Sequence, residues 1–180
     1  MKIQIAGIRN VEDALMCADC GANIIGLLVG QKHASDDFIT KELARQIKLA
    51  LPKKTKTTLI THLEKAKDII EIAKYIDVDY VQLHSDLPES EVEKIRKELP
   101  SKKLIRVIHI DKNGKLLTDI EKIKIADFYF TDSINKKSGD VKSSLSLCSV
   151  VVFGFRRRNF PFAKDGSCGG IQARVMELAF

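Results

Sequence analysis

At 180 residues, with 30% charged and 44% hydrophobic residues, the chain is long enough for one domain with a substantial core, and its composition is that of an ordinary globular protein. Its net charge of +6 comes from lysines scattered along helical patterns, among them Lys41, Lys48, Lys65, Lys67 and Lys74, which reads as a solvated face. Aromatic residues are few and Trp is absent, so no base-stacking platform and no nucleic-acid partner are expected.

The elements alternate between strand and helix. Short apolar runs mark strands at residues 3–8, 23–28, 57–61, 80–83, 104–110 and 128–131. Between them, residues 11–20 put Val11, Ala14, Leu15 and Ala18 on one helix face. Residues 40–51 do the same with Leu43, Ala44, Ile47 and Leu51 before Pro52 stops the helix, and 64–76 with Ala66, Ile69, Ile70 and Ala73. A fourth helix, 88–99, opens with proline in its first turn, where a missing N–H costs little. Asn113-Gly114 marks a turn ahead of a short helix near 116–123. Beyond it, 136–146 reads as a polar loop, 149–155 as a strand or part of a helix, 156–158 as a basic solvated turn, 166–170 as a glycine-rich loop and 173–180 as a terminal helix.

Continuous apolar runs indicate strands buried on both faces, and six of them, each followed by a helix, indicate a parallel α/β sheet. Either an open doubly wound sheet or a (β/α)8 barrel satisfies that beat, although no G-x-G-x-x-G follows the first strand. No linker divides the chain, so 1–180 reads as a single domain with an irregular part at 136–180. The N-terminus goes straight into a strand, and no apolar run approaches membrane-spanning length; a cytoplasmic protein with no membrane partner is expected.

Cys17, Cys20, Cys148 and Cys168 do not form a disulfide framework in a chain of this size. The Cys17-x-x-Cys20 pair has no second pair to complete a zinc site, and it sits near the end of a predicted helix rather than at its start. Both thiols are expected to pack inward, and neither metal nor cofactor is expected.

In a barrel the working residues lie at the carboxyl ends of the strands. That address selects Ala6, the loop 31–37, His62, His84, His109 and Asp132. Each also has a structural reading: the histidines as half-buried polar groups with hydrogen-bond partners, Asp132 as a capping or loop residue.

Several of these segments carry a resemblance. The strand ending Ile5-Ala6-Gly7-Ile8, the helix with Glu12-Asp13-Ala14-Leu15, the Gly21-Ala22-Asn23 lead into the second strand, Val81-Gln82-Leu83-His84 and Thr131-Asp132 together resemble the phosphoribosylanthranilate isomerase family of tryptophan biosynthesis, over roughly residues 1–134. The resemblance implies a TIM-type (β/α)8 barrel, incomplete or irregular after strand six. It implies a cofactor-free Amadori rearrangement that opens an aminated ribose ring and moves its carbonyl. A general acid protonates the ring oxygen and a general base takes the proton from C2.

The family's acid matches Asp132. Its base is the cysteine of a Lys-Ile-Cys-Gly-Ile strand, and Ala6 stands there. His84 is expected as a second catalytic residue. The family's arginine in an Arg-Tyr-Ile-Ser segment aligns with Asp37-Phe38-Ile39-Thr40, leaving Lys32 and His33 as the nearby cations for the substrate, with His62 as a further binding residue. Gly169-Gly170-Ile171 resembles the family's Gly-Gly-Leu phosphate loop, so Gly169 and Gly170 are expected to bind phosphate. Nothing after it could form an eighth strand, and a divergent, C-terminally truncated member is expected, acting as a monomer or homodimer on a phosphorylated small molecule. The other reading is an inactive, barrel-derived binding or structural protein that has lost its base.

Overall fold

The computed structural model describes residues 2–30, 37–111, 115–133 and 174–178. In chain order these form β1 (Lys2–Ala6), α1 (Val11–Asp19), β2 (Ile24–Leu28), α2 (Lys41–Ala50), β3 (Lys56–Thr61), α3 (Ala66–Ile76), β4 (Tyr80–Leu83), α4 (Glu89–Glu98), β5 (Lys103–Ile110), one 3-10 turn (Ile120–Lys122), β6 (Phe128–Ser133) and β7 (Arg174–Leu178). The six expected strands and four expected helices are all present. β1 to β6 run parallel in sequence order, and β7 adds to the free edge of β1, giving the order β6-β5-β4-β3-β2-β1-β7.

Local chemistry sets the helix boundaries. The Asn10 side chain accepts from the Asp13 N–H at 2.7 Å to cap α1, and Thr40 caps α2 through the Leu43 N–H at 3.2 Å. The first N–H of α3 is satisfied from outside its own helix, by Glu91 of α4 at 2.7 Å. Asp77 closes α3 in the left-handed conformation, φ 61°.

Two apolar layers sandwich the sheet. The outer one lies under the helices and includes Ile5, Ile25, Leu27, Leu59, Val81 and Leu104. The inner one joins Ala6, Ile24, Leu28, Ile60, Tyr80, Ile105, Val107 and Phe130. These sets alternate along each strand, as strand geometry requires.

Curvature is recorded in the side chains. Gln4 of β1 donates from Nε2 to Oε1 of Gln82 in β4 at 3.2 Å, and the Thr58 hydroxyl of β3 donates to Gln4 Oε1 at 3.0 Å. In a flat sheet β1 and β4 would be three spacings, about 14 Å, apart. The inner face is therefore curled on itself. The hydrogen-bonded rows also climb: Ala6 at the end of β1 pairs with Gly26, Gly26 with Thr58, and Thr58 with Tyr80 at the start of β4. That stagger is the strand tilt of a barrel. The architecture is a partial (β/α) barrel, with six parallel strands in barrel order.

Three expectations are corrected. Residues 174–178, expected in a terminal helix, form a strand antiparallel to β1. The edge of β1 offers a row of unpaired N–H and C=O groups, and pairing there satisfies them as no helix could. The helix expected near 116–123 is reduced to the 3-10 turn Ile120–Lys122, because Leu116 bridges back to Ile110 and Leu117 donates to the His109 carbonyl at 2.8 Å. Of the C-x-x-C pair, Cys17 packs inward as expected but Cys20 is exposed, since it caps the end of α1 at the turn into Gly21. Most of 136–180, including Cys148, Cys168 and the basic run 156–158, lies outside the described residues. Among the described residues no helix is long and apolar enough to cross a membrane.

At the amino pole one device repeats. Asn23, just before β2, accepts from the Ile3 N–H of β1 through its side-chain oxygen at 2.8 Å. Asp79, before β4, accepts from Thr57 N of β3 at 3.0 Å, and Asp127, before β6, accepts from Leu104 N of β5 at 2.8 Å. Asp79 is also paired with Lys48 at 2.6 Å and Lys56 at 3.1 Å; Asp127 is paired with Arg96 and Lys103. Burial opposes ionisation at both carboxyls. The hydrogen bonds outweigh it, from Lys48, the Thr57 N–H and Lys56 at Asp79, and from Arg96, the Leu104 N–H and Lys103 at Asp127, and hold both below the ordinary aspartate value.

Two predictions follow from this architecture. Because the folded-state values of Asp79 and Asp127 are depressed, their contribution is fully present above about pH 4 and disappears as pH falls through the lowered values. Denaturation midpoints of the wild type should fall steeply below about pH 4, and less steeply in Asp79→Asn/Asp127→Asn; identical slopes in both proteins would remove these carboxyls from the account. At Gly26, an added Cβ would lie 2.8 Å from both Ala6 Cβ and Ile60 Cδ1. Gly26→Ala should cost about 1–3 kcal/mol by denaturant titration, and Ala6→Gly should recover part of it. An unchanged midpoint for Gly26→Ala would mean that β1 and β2 separate without cost.

Candidate active site

The carboxyl ends of β3, β4, β5 and β6 deliver one polar side chain each to the mouth of the partial barrel. His62 follows β3, His84 follows β4, His109 lies near the end of β5 and Asp132 near the end of β6. His109 and Asp132 are register partners. The imidazoles form a row: the His62 and His84 ring centroids are 4.5 Å apart, and those of His84 and His109 are 5.4 Å apart, with both pairs tilted. His84 Nε2 stands 3.5 Å from Asp132 Oδ2, with side-chain exposures of 15% and 18%.

Backbone contacts hold this row in place. The His84 N–H donates to Thr61 O at 3.0 Å and the His62 N–H to Gly30 O at 3.3 Å, extending the ladder past the strands. The Ser85 hydroxyl donates to His62 O at 2.7 Å. The Thr118 hydroxyl accepts from the His109 N–H at 2.9 Å. Gly30 is required at its turn: it has φ +76°, and an added Cβ would lie 2.6 Å from Leu63 Cδ1.

His109 has a defined tautomer. Its Nε2 is 3.0 Å from the His84 carbonyl oxygen. A carbonyl can only accept, so Nε2 carries the hydrogen and, in the neutral ring, Nδ1 carries the lone pair. That Nδ1 is shut off from solvent and has no hydrogen-bond partner among the described residues.

Ala6 stands apart from the polar row. It is 2% exposed and belongs to the inner apolar layer at the end of β1, against Gly26. Its methyl has no lone pair to offer. Asp37 is half-buried, and the neighbouring Phe38 packs on the inner layer. Lys32, His33, Gly169 and Gly170 lie outside the described residues. The structure thus brings together four of the expected positions, His62, His84, His109 and Asp132. Sequence reasoning missed Thr118, Gln4 and Gln82; the signal available was a polar residue placed inside an apolar strand run, at Gln4 and Gln82.

Chemically, His84 and Asp132 can share one proton, as carboxylic acid beside imidazole or carboxylate beside imidazolium. The pair can give a proton to an oxygen at the mouth and take it back.

No protein-family model matches the chain. It is similar to N-(5'-phosphoribosyl)anthranilate isomerase 2 of Methanosarcina mazei, 37% identical over 144 residues that make up 80% of this chain and 64% of the relative. It is 26% identical to the N-(5'-phosphoribosyl)anthranilate isomerase of Methanocella arvoryzae, over 96% of this chain and 89% of that one. The crystal structure of a phosphoribosyl anthranilate isomerase in complex with reduced 1-(o-carboxyphenylamino)-1-deoxyribulose 5-phosphate superposes with a TM-score of 0.59 at 24% identity, over 73% of this chain and 64% of that chain, a likeness of fold. The chain thus spans just under two thirds of the Methanosarcina relative and of that crystallised enzyme. Its partial barrel and its sequence alike are similar to those of the phosphoribosylanthranilate isomerases.

Proposed function

We propose that the protein acts as a phosphoribosylanthranilate isomerase, in tryptophan biosynthesis, on a phosphorylated aminosugar. The observation that carries this reading is the His84–Asp132 pair, 3.5 Å apart at the strand ends of a barrel of this family. Asp132 is the general acid. Protonating the ring oxygen breaks its bond to C1 and leaves a C1–N iminium. Loss of the C2 proton then gives an enol-amine, which becomes the ketone. His84 resupplies the proton to Asp132. Lys32, His33 and His62 serve the substrate's anionic groups, and Gly169 and Gly170 its phosphate through backbone N–H groups. A phosphoribosyl anthranilate isomerase crystallised in complex with a deoxyribulose 5-phosphate derivative supports a phosphorylated ligand.

The isomerase reaction also needs a base for the C2 proton. An alanine at position 6 cannot take the C2 proton, which leaves the imidazoles of His62, His84 and His109 as the bases among the described site residues. Ala6 favours the second reading, in which the barrel binds its ligand without turning it over.

Two variants separate these readings, with loss of N-(5'-phosphoribosyl)anthranilate as the assay. Asp132→Asn keeps the shape but removes the proton, and should lower turnover by about 10²–10⁴-fold; unchanged turnover would exclude Asp132 as the acid. Ala6→Cys should be tolerated, because a thiol is only slightly larger than the methyl it extends and cysteine suits a buried strand end. A gain of about 10²–10⁴-fold would mark position 6 as the missing base. A wild type already as fast as the variant would move the base to one of the histidines, and no turnover by either protein would leave the binding-protein reading.

A further inference from the structure

We propose that the mouth of the barrel is a transition-metal site of the two-histidine, one-carboxylate type, with His84, His109 and Asp132 as ligands and a divalent zinc-class ion as occupant. The proposal does not depend on isomerase activity, since it concerns the protein without substrate. The first support is spacing. One donor atom from each of the three side chains lies within 4.8 Å of the other two. Donors around a tetrahedral zinc stand about 3.3 Å apart. The His84 Nε2 to Asp132 Oδ2 separation of 3.5 Å is already at that value.

The second support is independent of spacing. Metal-bound imidazole characteristically donates its other N–H to a carbonyl or carboxylate, which fixes the tautomer and leaves the opposite nitrogen basic. His109 is arranged in this way: Nε2–H is committed to the His84 carbonyl and the main chain is held by Thr118. What remains is a lone pair on Nδ1, closed to water and without a hydrogen-bond partner among the described residues. A buried acceptor in that condition costs free energy until an ion or a water fills the position. The donor set also has the right chemistry, since imidazole suits zinc, iron and nickel, whereas magnesium and calcium take oxygen ligands. With three protein ligands, at least one coordination position stays open toward the mouth, as in catalytic rather than structural sites.

Occupancy would change what Asp132 can do. A carboxylate bound to a divalent ion does not carry a proton, so the metal competes with the acid form of Asp132. Metal and acid catalysis at this residue are alternatives.

The test is titration of the full-length protein with Zn²⁺, and with Co²⁺ as a spectroscopic probe, in the absence of substrate. The proposal requires one ion per chain, a Co²⁺ visible spectrum of nitrogen and oxygen coordination, and a rise in Tm with added Zn²⁺. His84→Ala, His109→Ala and Asp132→Asn should each weaken binding by at least about tenfold, with circular dichroism unchanged. Asp132→Asn, the same size as the wild-type residue, decides the matter if a histidine variant does not fold. Absence of stoichiometric binding would assign the His109 Nδ1 position to a water molecule and overturn the proposal. So would a Co²⁺–thiolate charge-transfer band, which would place the ion on cysteines, or binding unaffected by all three substitutions.

Discussion

A single hydrogen bond between strands that are not neighbours determines the shape on which the site depends. Gln4 and Gln82 meet across the inside of the sheet, with Thr58 completing the chain of donors and acceptors. All three are buried. Amide and hydroxyl groups in that position must find partners or lose several kcal/mol of solvation, of the order of 1–3 kcal/mol for each group. The partners they find are on different strands, so satisfaction of the interior and curvature of the sheet are one condition. Curvature then brings the ends of β3 to β6 onto a common rim, which gives His62, His84, His109 and Asp132 their shared location. A flat sheet with the same sequence would spread these side chains along an edge.

The inner and outer layers have different tolerances. Outside, aliphatic side chains meet the helices, and Arg106, only 5% exposed, is neutralised by Glu89 at 2.5 Å. Inside, the strands carry a mixture of large side chains and one glycine. Gly26 is where β2 passes closest to its neighbours, with Ala6 on one side and Ile60 on the other. A small residue at position 6 and none at position 26 is a packing solution, and the same solution leaves the end of β1 without a proton acceptor. The polar functions have instead accumulated on the other side of the mouth.

Much of this was legible in the sequence. Uninterrupted apolar runs such as Ile24–Leu28 could only be strands covered on both faces, and proline and threonine marked the helix limits. The strand-end rule picked all four residues of the polar row, because a position after an apolar run is a geometric statement in a parallel barrel. What the sequence left hidden has identifiable causes. The strand at Arg174–Leu178 depends on the vacancy beside β1, which is a tertiary fact with no local signature. The metal-like spacing of His84, His109 and Asp132 joins residues separated by dozens of positions, so no ligand-spacing pattern could reveal it. The His109 tautomer depends on a carbonyl from another strand.

The repeated caps at the opposite pole have a consequence for how the chain comes apart. Asn23 ties β1 to β2, Asp79 ties β3 to β4, and Asp127 ties β5 to β6, each across a span of only 20 to 23 residues. The boundaries between these pairs are crossed from the same positions by main-chain bonds, Lys56 N–H to Asn23 O at 2.9 Å and Lys103 N–H to Asp79 O at 3.2 Å, in place of a side-chain cap. The barrel wall is therefore a series of three modules, each closed by a side-chain cap in addition to the main-chain ladder, and each made from near-neighbour contacts that form at low entropic cost. Such modules are the expected units of cooperative opening in hydrogen exchange, with seams between β2 and β3 and between β4 and β5. His84 and Asp132 sit on opposite sides of the second seam, so a fluctuation that opens it would part the imidazole from the carboxylate while every module stayed folded.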